Sequence, residues 1–380
     1  MFEKFNLRDD CFPVSPSDPD VCWFGFPELK GEFEGVLRRS GAETLRLCVL
    51  NRGRWGAGKT HAAKYFLRAL PGMRPSLAEY GRFLPVLVEA PKQAKVAFPD
   101  FAGRFLSAVS FERVLQASQN LQARWGREQL RTALVSATNS EDVGAVLSTL
   151  NATSLLSVRT YLAGGGTAKD LRSLGAAKRL VTEHEYALAV SGVLFLLVNG
   201  PSASDETKAR IILWVDEMED LVYFPSRYFQ PFTMALREVM DRNGRHVTFM
   251  LNFTFSEPEE LPSIQLVLGA AIMERVNTHI VFPPATAESL RDYLLELLAA
   301  NRITQPGSCP TFPFAADAFE LIVNAAASKT PRFLNKVCDT LLRGLASSGD
   351  LVAVPAAGIQ RSVIESRLLI VQSSIEESRG

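Results

Sequence analysis

Gly53-Arg54-Trp55-Gly56-Ala57-Gly58-Lys59-Thr60 is the stretch on which the reading of this 380-residue chain turns. It fits G-x-x-x-x-G-K-[ST], the pattern of a phosphate-binding P-loop. The apolar, strand-like run Leu45-Arg46-Leu47-Cys48-Val49-Leu50 enters it, and a periodic helix from His61 to Leu70 leaves it toward the breaker pair Pro71-Gly72. Three glycines let the backbone fold into a nest of N–H groups that faces anion oxygens. The helix behind Gly58 adds the positive end of its dipole. In such a loop Lys59 reaches the β- and γ-phosphates of a nucleoside triphosphate, and the Thr60 hydroxyl coordinates Mg2+. The expected nucleotide-binding set is Gly53, Arg54, Trp55, Gly56, Ala57, Gly58, Lys59, Thr60 and His61. The alternative is a glycine-rich turn that merely precedes a helix. Strand, spacing and Gly-Lys-Thr together argue against it.

A chain of this length buries a sizeable core and divides into about two domains. Acidic and basic residues balance at 41 each, so no whole-molecule field draws it to DNA or membranes. Any nucleic-acid contact must be local. Cys11, Cys22, Cys48, Cys309 and Cys338 lie dispersed, without Cys-x-x-Cys or zinc-ligand spacing, and read as reduced thiols of a cytoplasmic protein. Met1 to Asp10 is charged throughout, so no signal-peptide apolar core is expected. The longest apolar run, Ala187 to Val198, is too short to span a bilayer and reads as a buried helix.

Residues 1–22, rich in Pro, Ser and Asp, read as an extended arm. Glu28 to Arg39 is an amphipathic helix, either packed near a bound base or simply at the surface. Phe83 to Ala90 is a second strand, with Pro85 marking its start or a bulge. Asp100 to about Val198 is mostly helical and too long for an ordinary connection, hence an inserted helical module. Its Tyr161-to-Thr167 triple-glycine loop lacks the strand and Gly-Lys of a phosphate loop and reads as a hinge or capping turn. Bases outnumber acids there, and Arg124, Arg127, Arg131, Lys169 and Arg172 are candidates for facing DNA or a partner. Solvated helix surfaces explain the same charges.

Ile211-Ile212-Leu213-Trp214-Val215-Asp216-Glu217 is a buried strand ending in two carboxylates, the Walker B pattern. Asp216 would hold Mg2+, and Glu217 would orient and deprotonate the attacking water. Pro231 to Arg242 is a helix stopped by Asn243-Gly244, and His246 to Asn252 is the next strand. Asn252 at its end suits a sensor of lytic water or γ-phosphate, or else starts a loop. Ile280 to Phe282 reads as a last short strand. Helices follow at Ala287 to Asn301, Ala315 to Ala327, Pro331 to Ala346 and Pro355 to about Glu377, with Thr330 as N-cap and Pro331 in the first turn.

Walker A, Walker B, the polar strand end at Asn252, Arg275 before an apolar-apolar-Phe-Pro-Pro turn, and Pro331-Arg332 in a helical lid together resemble the AAA+ ATPases. Within them the pattern is nearest the origin-recognition and initiator-like clade. The resemblance covers roughly residues 23–350. It implies an α/β P-loop NTPase with a central parallel sheet, a long helical insertion (about 100–200) before Walker B, and a C-terminal helical lid. The implied domains are an arm at 1–22, an ATPase domain at 23–284, a lid at 285–350 and a C-terminal helix at 351–380. It also implies ATP and Mg2+ as ligands, Asn252 as sensor one and Arg332 as sensor two. Arg275 stands where a trans-acting arginine finger is expected, or is a structural residue in cis.

Two departures stand out: the insertion is longer than usual, and no winged-helix domain is expected after about 350. In layout the long insertion resembles ATP-binding proteins of BREX-type phage-defence systems and transposon target-selection ATPases. The expected function is an oligomeric ATP-hydrolysing switch, ring or filament, acting on DNA or a DNA-processing protein and not on membranes. The other class is a signalling or scaffold NTPase that regulates a protein partner. A GTPase is disfavoured, since Asn335-Lys336-Val337-Cys338-Asp339 is one residue too long for a guanine clamp.

Overall fold

β1 (Cys48–Gly53), β2 (Arg82–Glu89), β3 (Ala209–Asp216), β4 (Val247–Thr254) and β5 (Thr278–Val281) form one sheet in the order β2-β3-β4-β1-β5. The β2/β3, β3/β4 and β1/β5 ladders are parallel. β3 and β4 are buried almost along their length, which is why both read as continuous apolar runs. This computed structural model describes residues 1–9, 11–14, 21–42, 46–69, 82–202, 208–254, 261–304, 309–348 and 354–377. Leu45 and the Pro71-Gly72 breaker lie outside them. The chain forms two compact units, one of Glu32–Arg52 and Phe66–Val281, the other of Met1–Gly31, Gly53–Tyr65 and Phe282–Gly380.

The larger unit holds the sheet. Helices α1 (Pro27–Ala42) and α2 (Lys59–Ala69) contribute Phe33 and Phe66, whose rings lie 5.6 Å apart, and Phe66 stacks on Trp214 of β3. Between β2 and β3 run α3 (Ala97–Val109), α4 (Phe111–Trp125), α5 (Arg127–Thr138), α6 (Glu141–Ser148), α7 (Leu155–Leu162), α8 (Ala168–Leu174) and α9 (Glu183–Asn199). They share a single apolar core with the sheet rather than standing off it. The centre of that core is α9, buried nearly all round and started by a Thr182/Glu185 capping box. The triple-glycine segment is a turn between α7 and α8. Gly164 sits at φ 77°, and a Cβ there would meet the Tyr186 hydroxyl at 2.0 Å.

After β3 come α10 (Ser226–Asn243) and α11 (Leu261–Met273), the latter broken at Gly269. Phe98 and Phe101 of α3 pack on Phe232 of α10, each pair 5.7 Å apart. Pro85 is neither a strand start nor a bulge. It pairs with Ile212 in mid-strand, and among the described strands β2 is at the sheet edge, where proline is tolerated because half of the N–H groups face away from the ladder.

The smaller unit contains α12 (Ala287–Asn301), α13 (Ala316–Ala326), α14 (Pro331–Ser347) and α15 (Arg361–Glu377). Its core includes Leu294, Phe319, Leu334 and Leu341 and also takes in Phe2, Phe5, Leu7 and Phe12. The opening residues are therefore not an extended arm over that stretch. Phe2–Phe5 forms a 3-10 turn, and the Arg8 amide donates to the Asn301 carbonyl at 2.9 Å. The last helix starts later than its pattern suggests. Gly358 at φ 88° turns the chain, and Ile359 bonds the Pro313 carbonyl and Ala315 amide instead of entering a helix. Among the described residues no helix is long and apolar enough to cross a membrane.

Candidate active site

The candidate phosphate loop, Gly53 to Thr60, lies in the smaller unit. Gly53 closes β1, and a Cβ there would lie 2.6 Å from the Phe282 Cβ, so no larger residue fits. Gly56 and Gly58 adopt φ of 79° and 106°, the left-handed conformations that turn successive N–H groups to one side. Lys59 is buried, and its ammonium donates to the Gly53 carbonyl at 2.7 Å and the Arg54 carbonyl at 3.1 Å. A buried ammonium inside a nest of N–H groups fits a phosphate, which would take over from those carbonyls. Thr60 is half-buried in the first turn of α2. The His61 Nε2 donates to the Cys22 carbonyl at 2.7 Å, and burial holds its pKa below the usual value.

Arg332, the second residue of α14, places its guanidinium 4.3 Å from the ring centre of Trp55. Lys336, one turn further on, lies 5.9 Å from the same ring. The Thr330 hydroxyl caps this helix by accepting from the Phe333 amide at 3.4 Å.

The acidic strand end lies in the larger unit. β3 and β4 are neighbours, with Val215 opposite Leu251, which brings the residues that follow side by side. The Asn252 amide donates to Asp216 Oδ1 at 3.1 Å and accepts from Asn51 at 2.8 Å. The Glu217 backbone N–H also donates to Asp216 Oδ1 at 3.0 Å. Asn51, Asn252 and Asp216 are all buried. This carboxylate is thus oriented by two donors. Asn51, two residues before the end of β1, carries no pattern that singles it out in the sequence.

Glu217 itself adopts φ 57°, ψ 36°, a left-handed conformation that a non-glycine residue keeps only when its surroundings hold it there. The Lys92 ammonium binds both its carboxylate and Asp220. Burial opposes the lysine's charge, but its bonds to Asp220 and Glu217 outweigh that and raise its pKa. Sequence reading missed Lys92, which lies just beyond β2. Its only signal is that β2 pairs with β3, a fact of strand order.

Arg275 follows α11 and makes a two-point bond to Asp241 of α10, with Nε and Nη2 each 2.7 Å from a carboxylate oxygen. Its Nη1 donates to the Ala271 carbonyl, and the Asp241 bond raises its pKa. Within one protomer it is therefore engaged structurally. Among the described residues no group of three or more His, Cys, Asp or Glu side chains is placed to hold a metal. An ion at Thr60 or Asp216 would draw most of its ligands from phosphate and water, as Mg2+ does.

No protein-family model matches the chain, and no curated protein matches it. Among solved structures, the Aeropyrum pernix ORC2 protein in its ADP form aligns at TM-score 0.52 and 12% identity, over 97% of this chain and 72% of that one. The same protein's ADPNP-ADP complexes align at 0.51 and 12%, over 96% and 72%. The fold is that of an AAA+ ATPase. At such identity the likeness is one of architecture.

The helical insertion carries its basic candidates unevenly. The Arg124 guanidinium donates to the Asn199 carbonyl at the end of α9 and lies over Trp125, so it is taken up in packing. Arg131 is exposed and pairs with Glu141 at 3.3 Å. Arg127, Lys169 and Arg172 are exposed on α5 and α8.

Proposed function

We propose that this chain is an ATP-binding and ATP-hydrolysing molecular switch that assembles with further copies of itself and acts on DNA or on a DNA-processing protein. The observation that carries the reading is Asp216, buried at a strand end and held by the Asn252 amide and the Glu217 N–H. Fixed donors orient a carboxylate that must meet a metal, whereas a solvated cap needs none. Lys59 and the loop N–H groups neutralise the phosphates. Mg2+, held through Thr60 and Asp216, would draw charge from the oxygens of the transferring phosphoryl group. Glu217 takes the proton of the attacking water, once free of Lys92. Asn252 positions that water, and Arg332 offsets charge on the γ-phosphate. A role in phage defence or mobile-element biology rests on the layout of the insertion alone.

Lys92 favours a second reading, a signalling or scaffold NTPase, because it withholds the base at rest. Turnover measured with and without duplex DNA, beside mass photometry in each nucleotide state, separates the two. Stimulation by DNA supports the switch; tightly retained ADP with almost no turnover supports the scaffold. Glu217→Gln should keep ATP binding and stop hydrolysis, since the amide keeps the shape but not the base. Lys59→Ala should lose nucleotide affinity itself.

A further inference from the structure

We propose that Trp55 is a positioning residue that holds Arg332 over the phosphate loop and thereby sets the preference for nucleoside triphosphate over diphosphate. The proposal rests on the reading of Gly53 to Thr60 as a nucleotide site. Trp55 sits in the half of the loop ahead of Lys59, and half of its surface is exposed, 51% by area. Tryptophan in so wet a place needs a reason, and its ring carries two cations, Arg332 at 4.3 Å and Lys336 at 5.9 Å. Those residues are four apart on α14 and share one face.

The loop backbone at Gly56 also lies close against the first side chains of that helix. A Cβ on Gly56 would lie 2.9 Å from the Thr330 hydroxyl and 3.0 Å from the Arg332 Cβ. The helix start therefore cannot slide toward the loop, and the Arg332 side chain begins at a fixed distance from it. Its charge, however, stands in the first turn, where the helix dipole repels a cation. The negative face of the indole offsets that repulsion and selects one of the many rotamers of a long side chain. A guanidinium kept over the loop meets a third phosphate without first being ordered. A diphosphate ends short of that group and gains nothing from it.

The experiment measures affinity for ATPγS and for ADP, both with Mg2+, in the wild type, Trp55→Ala, Trp55→Phe, Trp55→Leu and Arg332→Ala. In Trp55→Ala the ATPγS-to-ADP affinity ratio should fall about two- to fivefold, the range of an exposed cation–π contact, because ATPγS affinity falls more than ADP affinity. Arg332→Ala should show the same loss, and the double variant should lose no more than either. Trp55→Phe should restore the ratio, whereas Trp55→Leu, which keeps bulk without a π face, should not. Trp55→Leu also carries the test if the alanine variant does not fold. A ratio unchanged in both, or equal weakening for the two nucleotides, overturns the proposal. A wild type that binds neither nucleotide overturns the phosphate-loop reading beneath it.

Discussion

Asn252 is a single side chain on which two other buried groups depend. It spans Asn51 and Asp216, so truncation leaves one donor and one acceptor short of a partner at once. Asn252→Ala should therefore cost about 1–3 kcal/mol of stability, the range for stranding a buried polar group, read from denaturant midpoints. It should also abolish most turnover. A stable variant with normal turnover would remove Asn252 from the site. Lys92 invites the opposite experiment. Lys92→Met frees the Glu217 carboxylate and should raise basal turnover without DNA, by up to about fivefold, since the pair is half-exposed and worth up to ~1 kcal/mol. Unchanged turnover would mean that the pair does not restrain the base.

Among the elements, the insertion divides its arginines between packing and display. α4 and α9 meet through Arg124, which binds the carbonyl that ends α9, whereas Arg127 and Arg131 stand on the open face of α5. The two kinds should fail differently. Arg124→Ala should lower the melting temperature and leave the salt dependence of any DNA binding alone. Arg127→Ala with Arg131→Ala should leave stability alone and reduce the slope of log affinity against log salt by about 2, one for each phosphate left without its arginine. Salt titrations of duplex binding read this directly. Binding that is absent, or indifferent to salt and to both substitutions, would point to a protein partner instead.

For the molecule in its entirety, assembly and acid stability are the two collective properties at issue. Arg275 is tied to Asp241 within its own protomer, so a role at a neighbour's nucleotide requires that bond to open. If it does, activity per subunit should rise with protein concentration. Arg275→Ala should then lose turnover by about 10³-fold or more, the worth of an arginine finger, with nucleotide affinity spared. Mixing in Glu217→Gln subunits, which still carry Arg275, should restore part of it. Concentration-independent activity without rescue would leave Arg275 as a structural residue. Acid stability turns on His246. Burial first, then Lys208, Arg210 and Arg245, push its pKa down to about 4 from 6.5. Between those values the unfolded chain binds a proton that the folded chain refuses, so stability present above about pH 6.5 is lost as pH falls toward 4. His246→Gln should flatten the difference in unfolding midpoint between pH 7 and pH 5.

The parts legible in the amino-acid order are those whose chemistry is local. The glycine turn of Gly53 to Thr60 can be read because it is a short run of consecutive backbone, with Gly56 and Gly58 at positive φ, and the strand ending at Asp216 because a covered strand must be apolar up to its end. The cap at Thr330 and the buried helix around Ala187 to Val198 follow from composition within a few turns. Folding was needed to put Pro85 on an edge strand and to complete the core of the helical unit with Phe2 and Phe5. Folding also brings Lys92 to Glu217, Asp241 to Arg275, and Trp55 to Arg332. Each of those joins residues brought together by strand order or helix packing. Periodicity tells a residue which face it occupies, but the identity of the neighbour on that face is set only when distant segments close their loops and pack.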